Sequence, residues 1–354
     1  DAQSVRQRVA RDDGVAAVPT HGHGRWLRMK LWSDEIESYR GEARGFLDAL
    51  PPVAAFSPCS DPYGDLERQV NVTRSLFAER SSQLPNTTSN LAEDRFIEGP
   101  GGELRLRVFR PEGVARGLLL HIHGGGWILG SPEMADQQNE ALARKHGLVV
   151  ASVDYRLAPE HPYPAAPDDC EAAAAWLLSD GAEEFGTTRM LIGGESSGAH
   201  LALVTANRVR ERLGLADQLL GLNLVFGIYD LNGTPSQRCN GGRRDLLEPL
   251  AIRTFTEAFT PGMSENQRRH PDISPLNADL SNIPHTLISV GVNDHFLDDS
   301  LFLGIRLSAK ERLVDLAVFP DSPHGFASLP SKMAEAFQHR SDIWVSAQLL
   351  ESNP

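Results

Sequence analysis

Six short apolar runs, at residues 117–122, 148–153, 190–192, 219–226, 286–290 and 314–319, recur through the chain with mostly helix-like stretches such as 165–178 and 199–213 between them. Runs this short that do not alternate with polar residues are the pattern of strands covered on both faces. Strands separated by helices predict an α/β chain: a mainly parallel central sheet flanked by helices. Ahead of them, residues 103–110 alternate charged and apolar side chains, as a half-buried antiparallel strand does.

Two parts of the chain fall outside this alternation. Up to about residue 90, Trp26, Leu27, Met29, Leu31 and Trp32 cluster, then Phe46, Leu47 and Leu50 lead into Pro51 and Pro52, which reads as helices and loops. The connection from 229 to 282 is longer than a single crossover helix needs. It predicts an insertion, helical over 245–259 and turn-rich over 261–276, folded over the sheet edge.

Charge and composition exclude several function classes. Of 354 residues, 41% are hydrophobic, which suits a globular chain with a sizeable core. With 47 Asp+Glu against 34 Lys+Arg the formal charge is -13, so phosphate backbones are repelled on average and no nucleic-acid partner is expected. No apolar run approaches the roughly 18 residues of a membrane span. The expectation is a soluble, cytoplasmic protein, although a removed leader ahead of Asp1 stays open. Cys59, Cys170 and Cys239 are odd in number, distant, and lack metal-ligand spacing, so they read as free thiols.

Chemistry concentrates at three places. Gly194-Glu195-Ser196-Ser197-Gly198 follows the run 190–192 and precedes a helical segment, which puts Ser196 on a strand-to-helix elbow. A strained serine there requires glycines on either side, because a Cβ at Gly194 or Gly198 would meet neighbouring backbone. His123-Gly124-Gly125-Gly126-Trp127 follows the run 117–122, and its consecutive glycines leave backbone N–H groups unobstructed. Two of them, with the N–H of Ser197, can converge on the oxygen of a tetrahedral intermediate. A phosphate-cradling loop is the competing use of such glycines, but no Lys-Ser/Thr follows and there is no G-x-G-x-x-G.

A nucleophilic serine needs a base and a carboxylate, in the chain order serine, acid, histidine for this arrangement. Two later strand ends supply them: Asp294-His295-Phe296-Leu297-Asp298-Asp299 after 286–290, and Asp321-Ser322-Pro323-His324-Gly325-Phe326 after 314–319. Asp294 lies nearest its strand end, whereas Asp298 and Asp299 sit where a helix begins and suit the role of N-terminal helix carboxylates.

These motifs, with the segment DYRLAPEHPYPAAPDD at 154–169 and Ser274-Pro275-Leu276, make the chain from about residue 91 onward similar to the hormone-sensitive-lipase-like family of α/β-hydrolases, the bacterial esterases with an HGGGW loop. The resemblance implies an α/β-hydrolase fold and a triad of Ser196, Asp294 and His324. It implies Gly124, Gly125 and Ser197 as oxyanion-hole N–H donors, residues 1–90 as an N-terminal helical cap segment, residues 91–354 as the catalytic domain, and residues 229–282 as a second cap element. Departures from the family pattern are Glu195 for Asp or Thr, Ser197 for Ala, Ala199 for Gly, and His295-Phe296 after the acid where Pro-Leu is usual.

The remaining histidines and charges read more plainly. His121 and His123 share one strand face but lack further ligands nearby, so they are expected to be structural rather than a metal pair. His200, just past the elbow, reads as a satisfied helix residue in preference to a contact to the pocket, and His21 and His23 read as solvated. Arg156 and Glu160 read as ordering their loop through ion pairs.

The expected function is a serine carboxylesterase for short- to medium-chain esters, working through an acyl-enzyme on Ser196. Its partner is a small-molecule ester substrate, with no cofactor and no metal, and a homodimer is left open. The same groups would serve an amide, lactone or carbamate hydrolase. A non-catalytic receptor similar to the plant gibberellin receptors is the reading from another class, but such receptors lack the catalytic histidine and His324 is present here.

Overall fold

The computed structural model describes residues 31–49, 65–83, 88–238 and 247–350. His21, His23, Trp26, Leu27, Met29, Leu50, Pro51, Pro52, Cys59 and Cys239 lie outside the described residues. Among the described residues eight strands form one sheet: β1 (Glu93–Gly99), β2 (Gly102–Phe109), β3 (Gly117–Ile122), β4 (Leu148–Val153), β5 (Met190–Glu195), β6 (Leu219–Val225), β7 (Thr286–Gly291) and β8 (Val314–Phe319). Their order across the sheet is β1-β2-β4-β3-β5-β6-β7-β8. The pairs from β4 to β8 are parallel, and the β1/β2 and β2/β4 pairs are antiparallel.

β3, β4 and β7 are buried along their whole length, which is why each reads as an unbroken apolar run. The pleat still sorts their side chains by face. Leu118, Leu120 and Ile122 of β3 join one core cluster with Ile192, Leu203 and Leu222, while Leu119 joins a second with Phe109, Leu191, Leu287 and Phe337. Burying such a side chain contributes about 1.5–3 kcal/mol. β1 leaves no comparable trace in the sequence, because of its seven residues only Ile97 is buried and four are charged. It is an edge strand, and charge is what an edge tolerates.

The strand order positions the site. The chain runs outward from β3 to β4 and then returns to lay β5 on the other side of β3, with Ile122 opposite Gly194. The loop after β3 and the elbow after β5 therefore stand side by side at the C-terminal edge, where open α/β sheets bind ligands. β7 and β8 deliver Asp294 and His324 to the same edge.

Two helical elements lie over that edge. The helix Leu66–Gln83 packs on the helix Pro249–Phe259 of the insertion, with Val70, Ile128, Ala158 and Ala258 forming a small apolar cluster between them. The insertion is tied down by buried Arg208, whose Nε and Nη2 donate to the two oxygens of Asp272 at 2.7 and 2.6 Å. The earlier helices, Asp34–Ser38 and Arg40–Ala49, pack elsewhere: Ile36, Tyr39 and Ala43 join Phe326, Met333 and Phe337. Cys170 is a buried free thiol. No helix among the described residues is long and apolar enough to cross a membrane.

Candidate active site

β5 ends at Glu195 and the helix Ser197–Arg208 starts two residues later, so the whole turn falls on Ser196, at φ 56° and ψ -120°. A non-glycine residue avoids this region, and it persists only where surrounding bonds over-determine it. Here the Ser196 N–H donates to Val225 O at 2.9 Å and the His200 N–H donates to Ser196 O at 3.2 Å. A Cβ on Gly194 or Gly198 would stand 2.4 or 2.0 Å from Ile122 O, so the elbow closes against β3 only with hydrogen at both positions.

Ser196 Oγ lies 2.9 Å from His324 Nε2, and His324 Nδ1 lies 2.9 Å from Asp294 Oδ2. Asp294 is fully buried, and its other oxygen accepts the Phe296 N–H at 2.8 Å. With Nδ1–H donated to the carboxylate, the Nε2 lone pair faces the serine hydroxyl. The His324 ring stands edge-on between Phe226 and Phe296, with centroids 4.8 and 5.1 Å away. Phe226 has no motif to announce it; it arrives as the residue after β6, next to the elbow.

The glycine loop sits against the elbow, since a Cβ on Gly124 would be 3.5 Å from Ser196 Cβ. Its peptide planes are held from behind. Tyr155 Oη donates to His123 O at 3.0 Å, and His123 Nδ1 donates to Gly124 O at 2.8 Å. Those carbonyls share rigid planes with the N–H groups of Gly124 and Gly125, so fixing the oxygen aims the hydrogen. The His123 ring stacks on Tyr155 at 4.2 Å, and burial pushes its pKa down to about 4, so it is neutral at ordinary pH. Ser197, the third expected N–H donor, opens the helix Ser197–Arg208 and is buried.

The other candidates have structural employment. His121 Nδ1 meets Ser152 Oγ at 2.8 Å, and its Nε2 meets the Glu195 carboxylate at 3.2 Å. His200 accepts from Trp127 Nε1 at 3.3 Å and donates to Ile273 O at 2.8 Å, tying the loop's tryptophan to the insertion. Its burial lowers its pKa to about 4. Arg156 pairs with Asp169. Asp298 and Asp299 lie in the first turn of the helix Leu297–Ala309, as expected, but their carboxylates bond the segment after β6: Asp298 Oδ2 accepts the Ser236 N–H at 2.8 Å. His295 Nδ1 donates to Ser236 O at 3.0 Å.

A family model described as alpha/beta hydrolase fold matches residues 119–328, the span that carries every group just described. A solved hormone-sensitive lipase from a metagenome library is 29% identical, with a TM-score of 0.69, covering 87% of this chain and 98% of its own. The chain belongs to the hormone-sensitive-lipase-like family of α/β-hydrolases. An acetyl esterase of Salmonella schwarzengrund (strain CVM19633) is 29% identical over 266 residues, 74% of this chain and 80% of that protein. A Pyrobaculum calidifontis esterase, solved in a monoclinic form, is 29% identical with a TM-score of 0.71, covering 81% of this chain and 94% of that one. Against the α/β-hydrolase frame, Glu195 acquires a local reason: its carboxylate reaches across to His121 of the neighbouring strand.

Proposed function

We propose that the chain is a serine carboxylesterase that hydrolyses short- to medium-chain esters through an acyl-enzyme on Ser196. At the coarser level it is a carboxylic-ester hydrolase, in keeping with its family and with the esterases it resembles. The observation that carries the finer reading is His324 bridging Ser196 Oγ and buried Asp294 at 2.9 Å on each side.

In this reading Ser196 Oγ attacks the ester carbonyl carbon as its proton passes to His324 Nε2. Asp294 holds the imidazole by Nδ1 and stabilises the cation that forms. The carbonyl oxygen, now an oxyanion, is met by the N–H groups of Gly124, Gly125 and Ser197. His324 returns the proton to the departing alkoxide, leaving the acyl group on Ser196. A water then gives its proton to His324, attacks the acyl carbon, and the carboxylic acid leaves as Ser196 regains its hydrogen. Each missing oxyanion donor would cost about 10²- to 10³-fold in rate.

We assign residues 1–90 to an N-terminal cap segment on the catalytic domain 91–354, with residues 229–282 as a second cap element. The packing of the helix Leu66–Gln83 on Pro249–Phe259 above the glycine loop supports that division. The test is a pair of variants. Ser196→Ala should lose both ester hydrolysis and covalent labelling by an organophosphonate, whereas Ser197→Ala, whose donor is backbone, should retain substantial activity. The opposite pattern would move the nucleophile to Ser197.

A further inference from the structure

The helix Leu66–Gln83 reaches the site through one guanidinium. Arg74 Nε donates to Ile128 O at 2.8 Å and Nη2 to Ala158 O at 2.9 Å, while Nη1 and Nη2 grip the two oxygens of Glu160 at 2.6 and 2.8 Å. Ile128 is part of the turn that carries the glycines, because the N–H groups of Ile128 and Leu129 donate to Gly125 O at 3.2 and 3.1 Å. Ala158 is bound to the same turn, its N–H donating to Trp127 O at 2.9 Å. Val70, one turn earlier on the helix, is buried against Ile128 and Ala158.

We infer that Arg74 is a positioning residue for catalysis: by joining the Ile128 and Ala158 carbonyls to one rigid fork, it sets where the Gly124 and Gly125 N–H groups stand relative to Ser196. The inference rests on the acyl-enzyme reading above and adds to it that the oxyanion hole is completed by the N-terminal segment, not by the sheet alone. A run of glycines has the most conformational freedom to lose, so it keeps a defined shape only if held from several sides. Tyr155 and His123 hold it from the sheet. Arg74 holds it from the cap. A planar guanidinium can donate to two carbonyls and to both oxygens of a carboxylate in one fixed plane, whereas an ammonium has three donors and no rigid fork. Glu160 is half exposed, and such a pair adds little stability by itself.

The test compares wild type with Arg74→Ala, Arg74→Lys, Glu160→Gln and Ser196→Ala on p-nitrophenyl acetate. Displacing catalytic groups by about 1 Å costs on the order of 10²-fold, so Arg74→Ala should lower kcat by about that factor with KM nearly unchanged. Arg74→Lys should fall between it and wild type. Added guanidinium ion, below denaturing concentration, should restore part of the Arg74→Ala rate. Glu160→Gln, which leaves both carbonyl bonds, should keep most of the activity. An unchanged kcat in Arg74→Ala, a rise in KM alone, or a loss that follows unfolding and is relieved by neither lysine nor guanidinium would each overturn the inference. If Arg74→Ala does not fold, Arg74→Lys decides: a lowered kcat at wild-type thermal midpoint supports it, and an equal kcat overturns it. Ser196→Ala separates the two readings. If that variant is inactive while Arg74→Ala is fully active, only the role of Arg74 fails; if it is as active as wild type, the acyl-enzyme reading fails.

Discussion

Asp294 and Asp299 stand five positions apart, both fully buried, and they do different work. Asp294 accepts from His324, whereas Asp299 takes four donors from one loop: the N–H groups of Tyr229 and Asp230, Thr234 Oγ1 and Gln237 Nε2, all within 2.9 Å. Asp294→Asn should therefore lower kcat by about 10⁴-fold with little change in thermal midpoint, because the histidine is left in the wrong tautomer. Asp299→Asn should do the reverse. An amide cannot accept on its nitrogen, so the loop loses partners and the fold about 1–3 kcal/mol, with near-wild-type kcat per folded molecule. Equal effects on kcat from the two variants would remove Asp294 from its role. The contrast marks how far the sequence could be read. Asp294 was legible because a strand end precedes it and a histidine follows the next strand. Asp299 was legible only in place, as a carboxylate at a helix start, since its partners lie 62 to 70 residues upstream and leave no local pattern.

Elements announce themselves when their neighbours are close in the chain or when both faces are buried. The six apolar runs became β3 to β8, with ends shifted by three residues at most. The N-terminal helices were legible as helices but not in their destinations, which depend on single long-range contacts. Arg40 and Arg44 of one helix meet Asp321 on the loop that carries His324, while the helix Leu66–Gln83 covers the glycine loop. Of these, the second bears on substrate size. It braces Pro249–Phe259, whose Phe255 lies so close over Gly126 that a Cβ there would stand 2.4 Å from the ring. A ring placed there should stop a long acyl chain and favour acyl groups of about two to eight carbons, because each methylene gains about 0.8 kcal/mol only while it is enclosed. Phe255→Ala should shift the kcat/KM profile toward longer chains. A wild-type optimum at long chains, or a profile unchanged by Phe255→Ala, would show that this roof does not limit the acyl group.

Acid should act on the whole molecule through a few buried groups of opposing sign. Burial pushes the pKa of His123 and of His200 down to about 4, against about 6.5 for imidazole in an unfolded chain. Between those values the unfolded chain binds protons that the native one refuses, so stability falls as pH drops from 6.5 to 4. Asp299 pulls the other way: burial raises its carboxyl to about 6, against about 3.9 unfolded, so the native state takes the proton first and gains over pH 6 to 4. Two histidines outweigh one carboxyl, and the net change should be a loss of a few kcal/mol across that window. Relief of repulsion as the charge of -13 is titrated also favours the native state, but at about 0.15 M salt most of that repulsion between exposed groups is screened. The urea midpoint should thus decline below about pH 6.5, more gently in His200→Gln and more steeply in Asp299→Asn, whose opposing carboxyl is gone. The two variants move the slope in opposite directions, which general acid sensitivity would not produce. A midpoint that stays level from pH 7 to 4.5, or slopes that both variants leave unchanged, would mean that these buried groups do not govern the acid limit of the fold.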